Sequence, residues 1–240
     1  MPPRRGFELN TGSVFGERYK VVKKLGAGSE GEVYQIAERS TGVHRAAKLF
    51  FLPPTEAGKQ VVWSARKLDK LQHCPIVLHY HHTMRVDVRG QSVLCLISDL
   101  FDGVQLESFI QQQPGRRLHP FMALNLLHDI ARGLEKIHAV GEYHGDVHSQ
   151  NILVQQTGIY MNLRLLDFYD RGRPSKRLRR LDVLDAVRIL YQCIGGRKHY
   201  SKAGDHIRYI CCGMQASLIA RRFPNVSTLR NHLESFDWVD

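Results

Sequence analysis

Three residues of this chain have the types and spacing for chemistry on a phosphorylated substrate: Asp146, Asn151 and Asp167. Asp146 lies in His144-Gly145-Asp146-Val147-His148-Ser149-Gln150-Asn151-Ile152-Leu153-Val154, a polar turn between an apolar helical segment and an apolar strand-like run. Asn151 follows five residues on, and Asp167 closes a second short apolar strand (Leu163, Leu165, Leu166) just before Phe168. The first carboxylate could accept a hydroxyl proton. The carboxamide and the second carboxylate offer the oxygen ligands that a hard divalent cation on a polyphosphate takes. The same stretch also contains His144, Asp146 and His148 as H-x-D-x-H, a set that could ligate the metal of a hydrolase. On these eleven residues alone the two chemistries stand close together.

The elements that must position these groups separate them. Residues 19–25 read as a strand, Gly26-Ala27-Gly28-Ser29-Glu30-Gly31 as a glycine-rich turn, and residues 32–37 as a second, alternating strand. Glycines at those three places let backbone close over phosphate oxygens without a side-chain clash. G-x-G-x-x-G is weak by itself; in a dinucleotide-binding fold it opens a helix, whereas here Val33 continues a strand. Residues 45–50 form a third strand in which Lys48 stands among apolar neighbours, and a central strand seldom buries an unpaired charge. Residues 60–72 are helical, strands follow at 79–86 and 91–98 about an Arg89-Gly90 turn, and helices are expected at 106–112 and around Leu127, Ile130, Ala131, Leu134 and Ile137. The alternating His79, His81 and His82 read as an exposed polar face.

The glycine loop G-x-G-x-x-G-x-V, the strand lysine, the H-x-D-x-x-x-x-N turn and Asp167-Phe168, in this order, resemble the protein-kinase superfamily. The hydrolase alternative leaves the loop, Lys48 and the connecting segment 99–103 without a role. The resemblance implies an α+β, two-lobed kinase-like fold with a small, mainly β lobe and a helical one. Residues 1–17 are then a loose tail, 18–98 the first lobe, 99–103 the hinge and 104–240 the second lobe. It implies ATP and Mg2+ as cofactors. Nucleotide contacts fall to Leu25, Gly26, Ala27, Gly28, Ser29, Glu30, Gly31, Val33, Ala46, Lys48, Asp99, Phe101 and Leu153. Asp146, Lys48, Asn151 and Asp167 become the catalytic set, with Asn151 and Asp167 on the metal. Ser98 falls at the gate behind adenine, and Asp182 at the start of a buried helix that braces the catalytic turn.

The chain also departs from the family. Ser64 occupies the place of the helix glutamate that pairs with the strand lysine; Glu56 and Gln60 lie further up the same helix. Either Lys48 acts without that partner or another acid substitutes. Gly145 replaces an arginine, His148 a lysine and Tyr169 a glycine. Only fifteen positions separate Asp167 from Asp182, too few for an ordinary activation segment, a shortening shared with haspin-like, Rio-like and small-molecule kinases. The expected activity is a divergent ATP-dependent serine/threonine kinase. A nucleotide-binding pseudokinase acting as an interaction module, and a small-molecule kinase, stand as alternatives.

Composition sets the remaining bounds. A hydrophobic fraction of 43% with 24% charged residues is ordinary for a soluble globular protein, and no apolar run is long enough to span a bilayer. Met1-Pro2-Pro3-Arg4-Arg5 has no signal-peptide core, and five cysteines without a C-x-x-C pair suit reduced thiols, so a cytoplasmic location is expected. The net charge is +11, and Arg171, Arg173, Lys176, Arg177, Arg179 and Arg180 crowd the segment before Asp182. An acidic or phosphorylated protein acceptor is the expected partner, with nucleic acid ranked behind it.

Overall fold

The computed structural model describes residues 6–51, 54–158 and 160–235, with backbone only for 54–57. It divides into two compact units. The first holds the described residues up to His73 together with Val77–Phe101, and the second holds Cys74–Ile76 and the chain from Asp102 onward. The break after Phe101 falls inside the segment expected to be the hinge.

The first unit is a six-stranded antiparallel sheet and one helix. Its strands are β1 (Val14–Phe15), β2 (Tyr19–Ala27), β3 (Gly31–Glu38) and β4 (His44–Phe50), followed by helix α1 (Pro54–Lys70), then β5 (Tyr80–Val88) and β6 (Gln91–Asp99). The order across the sheet is β1-β2-β3-β4-β6-β5, which makes β4 a central strand, with Lys48 opposite Val33 on one side and Leu96 on the other. Alternation in β3 and β4 sends Tyr34, Ile36, Ala47 and Leu49 to one face, where they meet Val21, Val86, Cys95 and Ile97 in a closed core. The other face packs Phe50 and Leu96 against Val61 of α1. Arg89 and Gly90 both take positive φ, 54° and 76°, as a two-residue hairpin turn between β5 and β6 requires.

The described part of the expected tail, residues 6–17, is not loose. Val14 and Phe15 pair with Lys20 and Tyr19, the Phe7 amide donates to Glu32 Oε2 at 2.9 Å, and the Leu9 amide reaches the Tyr34 hydroxyl at 3.3 Å. Phe7 and Leu9 pack on the sheet core. The cause is tertiary: Glu32, 2% exposed, draws the segment down to satisfy it.

The second unit begins with β7 (Val104–Gln105), α2 (Leu106–Gln112) and α3 (Pro120–Ala139). Strands β8 (Ile152–Thr157) and β9 (Tyr160–Leu165) complete a small sheet in the order β7-β8-β9. Helices α4 (Lys176–Cys193), α5 (Arg197–Tyr200), α6 (Asp205–Cys211), α7 (Ala216–Arg222) and α8 (Val226–Ser235) follow. α3 starts earlier than its apolar stripe suggested, because Pro120 and the His119 side chain, accepting from the Phe121 amide, open the helix there. Its buried Leu124, Leu127, Ile130, Ala131, Leu134 and Ile137 pack towards α4 and α8. α4 also starts early: Ser175 caps it by accepting from the Leu178 amide. Lys176, Arg177, Arg179 and Arg180 are therefore helical, while Arg171 and Arg173 precede the helix.

The Glu32 site makes a measurable demand on stability. Burial pushes its pKa up, but bonds from Lys24, the Tyr34 hydroxyl and the Phe7 amide outweigh that and leave it below the ordinary glutamate value. Tyr34 is pushed up to about 12, first by burial and then by its bond to Glu32. A carboxylate depressed on folding stabilises the fold above its unfolded pKa and loses that contribution as pH falls through the folded one. Glu32→Gln should therefore destabilise the protein at pH 7 by about 1–3 kcal/mol. In thermal melts the gap from wild type should close as pH drops below the ordinary value of 4.5.

Candidate active site

In the first unit the glycine turn spans the gap between β2 and β3, closed by the Gly28 amide donating to Gly31 O at 2.9 Å. Gly31 is demanded by packing, since a Cβ there would lie 1.9 Å from Leu49 O. A Cβ on Gly26 or Gly28 would meet nothing within 4 Å, so the fold itself does not require these two glycines. Leu25 is exposed, Val33 half-buried and Ala46 buried.

Lys48 resolves one alternative left by the sequence. Its Nζ is 2.8 Å from Glu30 Oε2, and Gln60 Nε2 of α1 donates to Glu30 Oε1 at 2.8 Å. Glu30 of the glycine loop is an acid on the lysine, and Gln60 of the helix braces that acid with its carboxamide. The strand register explains the meeting: Gly31 pairs with Phe50 and the Phe51 amide donates to Glu30 O at 2.9 Å, which sets Glu30 alongside the end of β4. Lys48 Nζ also lies 5.3 Å from the Phe50 ring centroid. Ser64 is on α1 as expected, and the side chain of Glu56 lies outside the described residues. At the end of β6 the Asp99 carboxylate bonds His81 Nε2 at 2.7 Å and its amide donates to His79 O at 2.9 Å. Ser98 Oγ lies 3.4 Å from the Asp99 carbonyl oxygen.

In the second unit the turn bearing Asp146 is hung from α4. Asp182, fully buried, accepts from the His144 and Gly145 amides, each at 2.8 Å, and from His138 Nε2 of α3 at 2.9 Å. Val147, 4% exposed, anchors the turn in the core, and the His144 ring packs against Phe168 at 4.5 Å. Asp146 is thereby left half-exposed between fixed neighbours. Asn151 Nδ2 donates to Asp146 O at 3.0 Å and to Asp146 Oδ2 at 3.2 Å. With its amide hydrogens so used, the Asn151 oxygen is the end offered to a cation.

The Leu166 amide donates to Asn151 O at 2.8 Å, which brings the residue before Asp167 to Asn151. Asp167 takes a left-handed φ of 50° and is exposed. A carboxamide oxygen and a carboxylate are the hard donors that magnesium accepts, so the residues fit the ion. His148 Nδ1 accepts from the Gln150 amide at 3.3 Å, and its Nε2 lies 3.3 Å from Asp146 Oδ2. The histidine thus lies against the Asp146 carboxylate. Leu153 is half-buried in β8, opposite Gln105 of β7.

Sequence reasoning located the turn, the lysine and the bracing aspartate, but it missed Glu30 as the lysine's partner and Arg171. Arg171 Nε donates to Gly145 O at 2.5 Å and its Nη2 is 4.0 Å from Asp146 Oδ1. The one available signal for Glu30 was its position as the sole acid in the glycine loop.

The comparisons agree with this geometry. The protein kinase domain profile matches residues 19–170. The serine/threonine-protein kinase pkn2 of Myxococcus xanthus is 30% identical over 160 residues, covering 65% of this chain and 18% of its own length. PkaA of Streptomyces coelicolor, also a serine/threonine-protein kinase, is 29% identical over 167 residues, 64% of this chain and 30% of its own. The chain thus spans less than a third of either relative. The PknI kinase domain of Mycobacterium tuberculosis has the same fold, with a TM-score of 0.65 at 20% identity over 95% of this chain and 97% of that one. With the glycine loop, the strand lysine and the braced H-x-D-x-x-x-x-N turn all inside the matched span, the chain belongs to the protein kinase domain family.

Proposed function

We propose that the protein is an active ATP-dependent serine/threonine kinase. The observation that carries this is the Lys48–Glu30 pair: the lysine is held by an acid although α1 offers Ser64 where one was expected. A binding module without catalysis has no need of that substitution. In this reading Lys48 and the glycine-loop amides steady the ATP phosphates, while Leu25, Val33, Ala46, Leu153 and the backbone of Asp99 and Phe101 take the nucleoside. Asn151 and Asp167 would hold magnesium, which supplies charge neutralisation on the phosphate oxygens. Asp146 orients the acceptor hydroxyl and takes its proton as the oxygen bonds the γ-phosphorus and the bond to the β-phosphate oxygen breaks, releasing ADP.

The acceptor is proposed to be an acidic or already phosphorylated protein segment, with nucleic acid a lesser fit. Arg173 just before α4, and Arg177 and Arg180 within its first turns, are exposed, and the first turn of that helix carries no acid. Cations at a helix N-terminus oppose its dipole, and a docked anion relieves that repulsion. Arg179 is less available, being half-buried with Nη1 donating to Gly141 O at 3.2 Å. No helix among the described residues is long and apolar enough to cross a membrane. The five cysteines are all free and buried, which fits the reducing cytoplasm proposed as its location.

Incubation with γ-labelled ATP, magnesium and an acidic serine-containing peptide should give labelled peptide. Asp146→Asn should cut transfer by at least about 100-fold while keeping the thermal shift caused by magnesium-ATP. Asp167→Asn should remove the magnesium dependence of that shift. Glu30→Gln should raise KM for ATP about tenfold, equivalent to roughly 1.4 kcal/mol. Near-wild-type transfer by Asp146→Asn would overturn the catalytic assignment, and nucleotide binding without any transfer would favour the module.

The acceptor surface has its own check. Arg173, Arg177 and Arg180 changed together to Ser should raise KM for the acidic peptide and leave KM for ATP nearly alone. The wild-type KM for the peptide should climb steeply above physiological salt, where the screening length is about 8 Å. Equal KM values for both substrates in variant and wild type would reduce these arginines to a solvated surface.

A further inference from the structure

Between Asp167 and α4 the chain folds back onto the residues that precede Asp146. The Tyr169 amide donates to His144 O at 3.1 Å. The Arg171 amide donates to the Tyr143 hydroxyl at 2.8 Å, and that hydroxyl donates to Gly172 O at 2.8 Å. Tyr143 is 1% exposed, so this link is anchored in the core. The Arg171 guanidinium lies 5.1 Å from the Tyr169 ring centroid. One side chain therefore touches both the carbonyl that precedes Asp146 and the space beside the Asp146 carboxylate.

Gly145 can offer no side chain to this turn. Its φ is +89°, and a Cβ there would lie 2.6 Å from Tyr169 O. The fold that brings Arg171 in is the same one that keeps position 145 bare. The amides of His144 and Gly145 are held from one side by Asp182, and the Gly145 carbonyl is held from the other by Arg171. The peptide leading into Asp146 is thus pinned on both sides.

We propose that Arg171 is a positioning residue for phosphoryl transfer, a cation built into the segment that sets the catalytic turn without any phosphate on that segment. The proposal rests on the kinase reading above. Ser175 is the only Ser or Thr between Asp167 and Asp182, and its hydroxyl is committed to capping α4. Arginine suits the task because its planar fork donates through Nε to the carbonyl while Nη2 stays beside the carboxylate. A lysine offers one point charge and cannot occupy both places.

The test uses protein treated with phosphatase and shown by intact mass to carry no phosphate, assayed with magnesium-ATP and an acidic serine-containing peptide. Wild type should keep its rate within about twofold after treatment, and Arg171→Met should lose about 10- to 100-fold in kcat with KM for ATP little changed, the scale of a misplaced reacting group. Arg171→Lys should recover only part of the loss. Amide exchange across residues 143–148 should quicken in Arg171→Met while α3 and α4 exchange as in wild type. A wild-type rate that vanishes on dephosphorylation, a kcat for Arg171→Met equal to wild type, or unchanged exchange at 143–148 would each overturn the proposal. Failure of the kinase reading looks different, because no form transfers phosphate. The exchange comparison then decides the role of Arg171 by itself.

Discussion

Asp182 sits on α4 with no solvent exposure, and its two oxygens accept hydrogen bonds from the His144 amide, the Gly145 amide and His138 Nε2. A carboxylate at that depth without partners would cost several kcal/mol, so the three donors and the acceptor require one another. The contact ties α3, α4 and the turn bearing Asp146 together at one point. Apolar packing along α3 and α4 sets the distance between the helices, and the carboxylate converts that distance into a backbone position for the turn. Everything downstream inherits it: the Asn151 bonds to Asp146, the Leu166 amide on Asn151 O, and the packing of His144 against Phe168.

The first unit solves a different problem, that of directing a lysine on a central strand. Its solution is local to the sheet. Glu30 comes from the turn that follows β2, reaches Lys48 at the end of β4, and is steadied by Gln60 from α1. The mobility of this partner is that of the glycine loop. A side-chain carboxylate 36% exposed is also more hydrated than a buried one, so the pair is worth less in isolation than its 2.8 Å distance suggests. Its value lies in direction.

Much of this was legible in the residues because the informative features are local. Helix 106–112 follows from a short apolar periodicity, the 89–90 turn from Arg-Gly between alternating strands, and the catalytic turn from its fixed spacing. What was illegible depends on partners distant in sequence. Glu30 looks like one more loop residue until the register of β3 on β4 sets it beside Lys48. Residues 1–17 read as a tail because Gly, Pro and Arg are frequent across that stretch, yet buried Glu32 and Tyr34 take the Phe7 and Leu9 amides. The first turns of α4 read as a charged loop because an arginine run masks the helical stripe, and the deciding signal is a single cap at Ser175. Arg171 was visible as one of many arginines; only the bare Gly145 backbone distinguishes it.

Gly31 carries a consequence for how such loops are read. Its side-chain position is filled by the Leu49 carbonyl, a demand that the sheet makes whether or not a nucleotide ever binds. Gly26 and Gly28 face no such neighbour. The three glycines of one motif therefore do not answer to one demand: strand packing fixes the last and leaves the first two unconstrained. A descendant that had given up catalysis could shed the first two without penalty to its fold and would still be compelled to keep the third. The surviving glycine would then be a fossil of architecture, carrying no information about whether phosphate is still handled there.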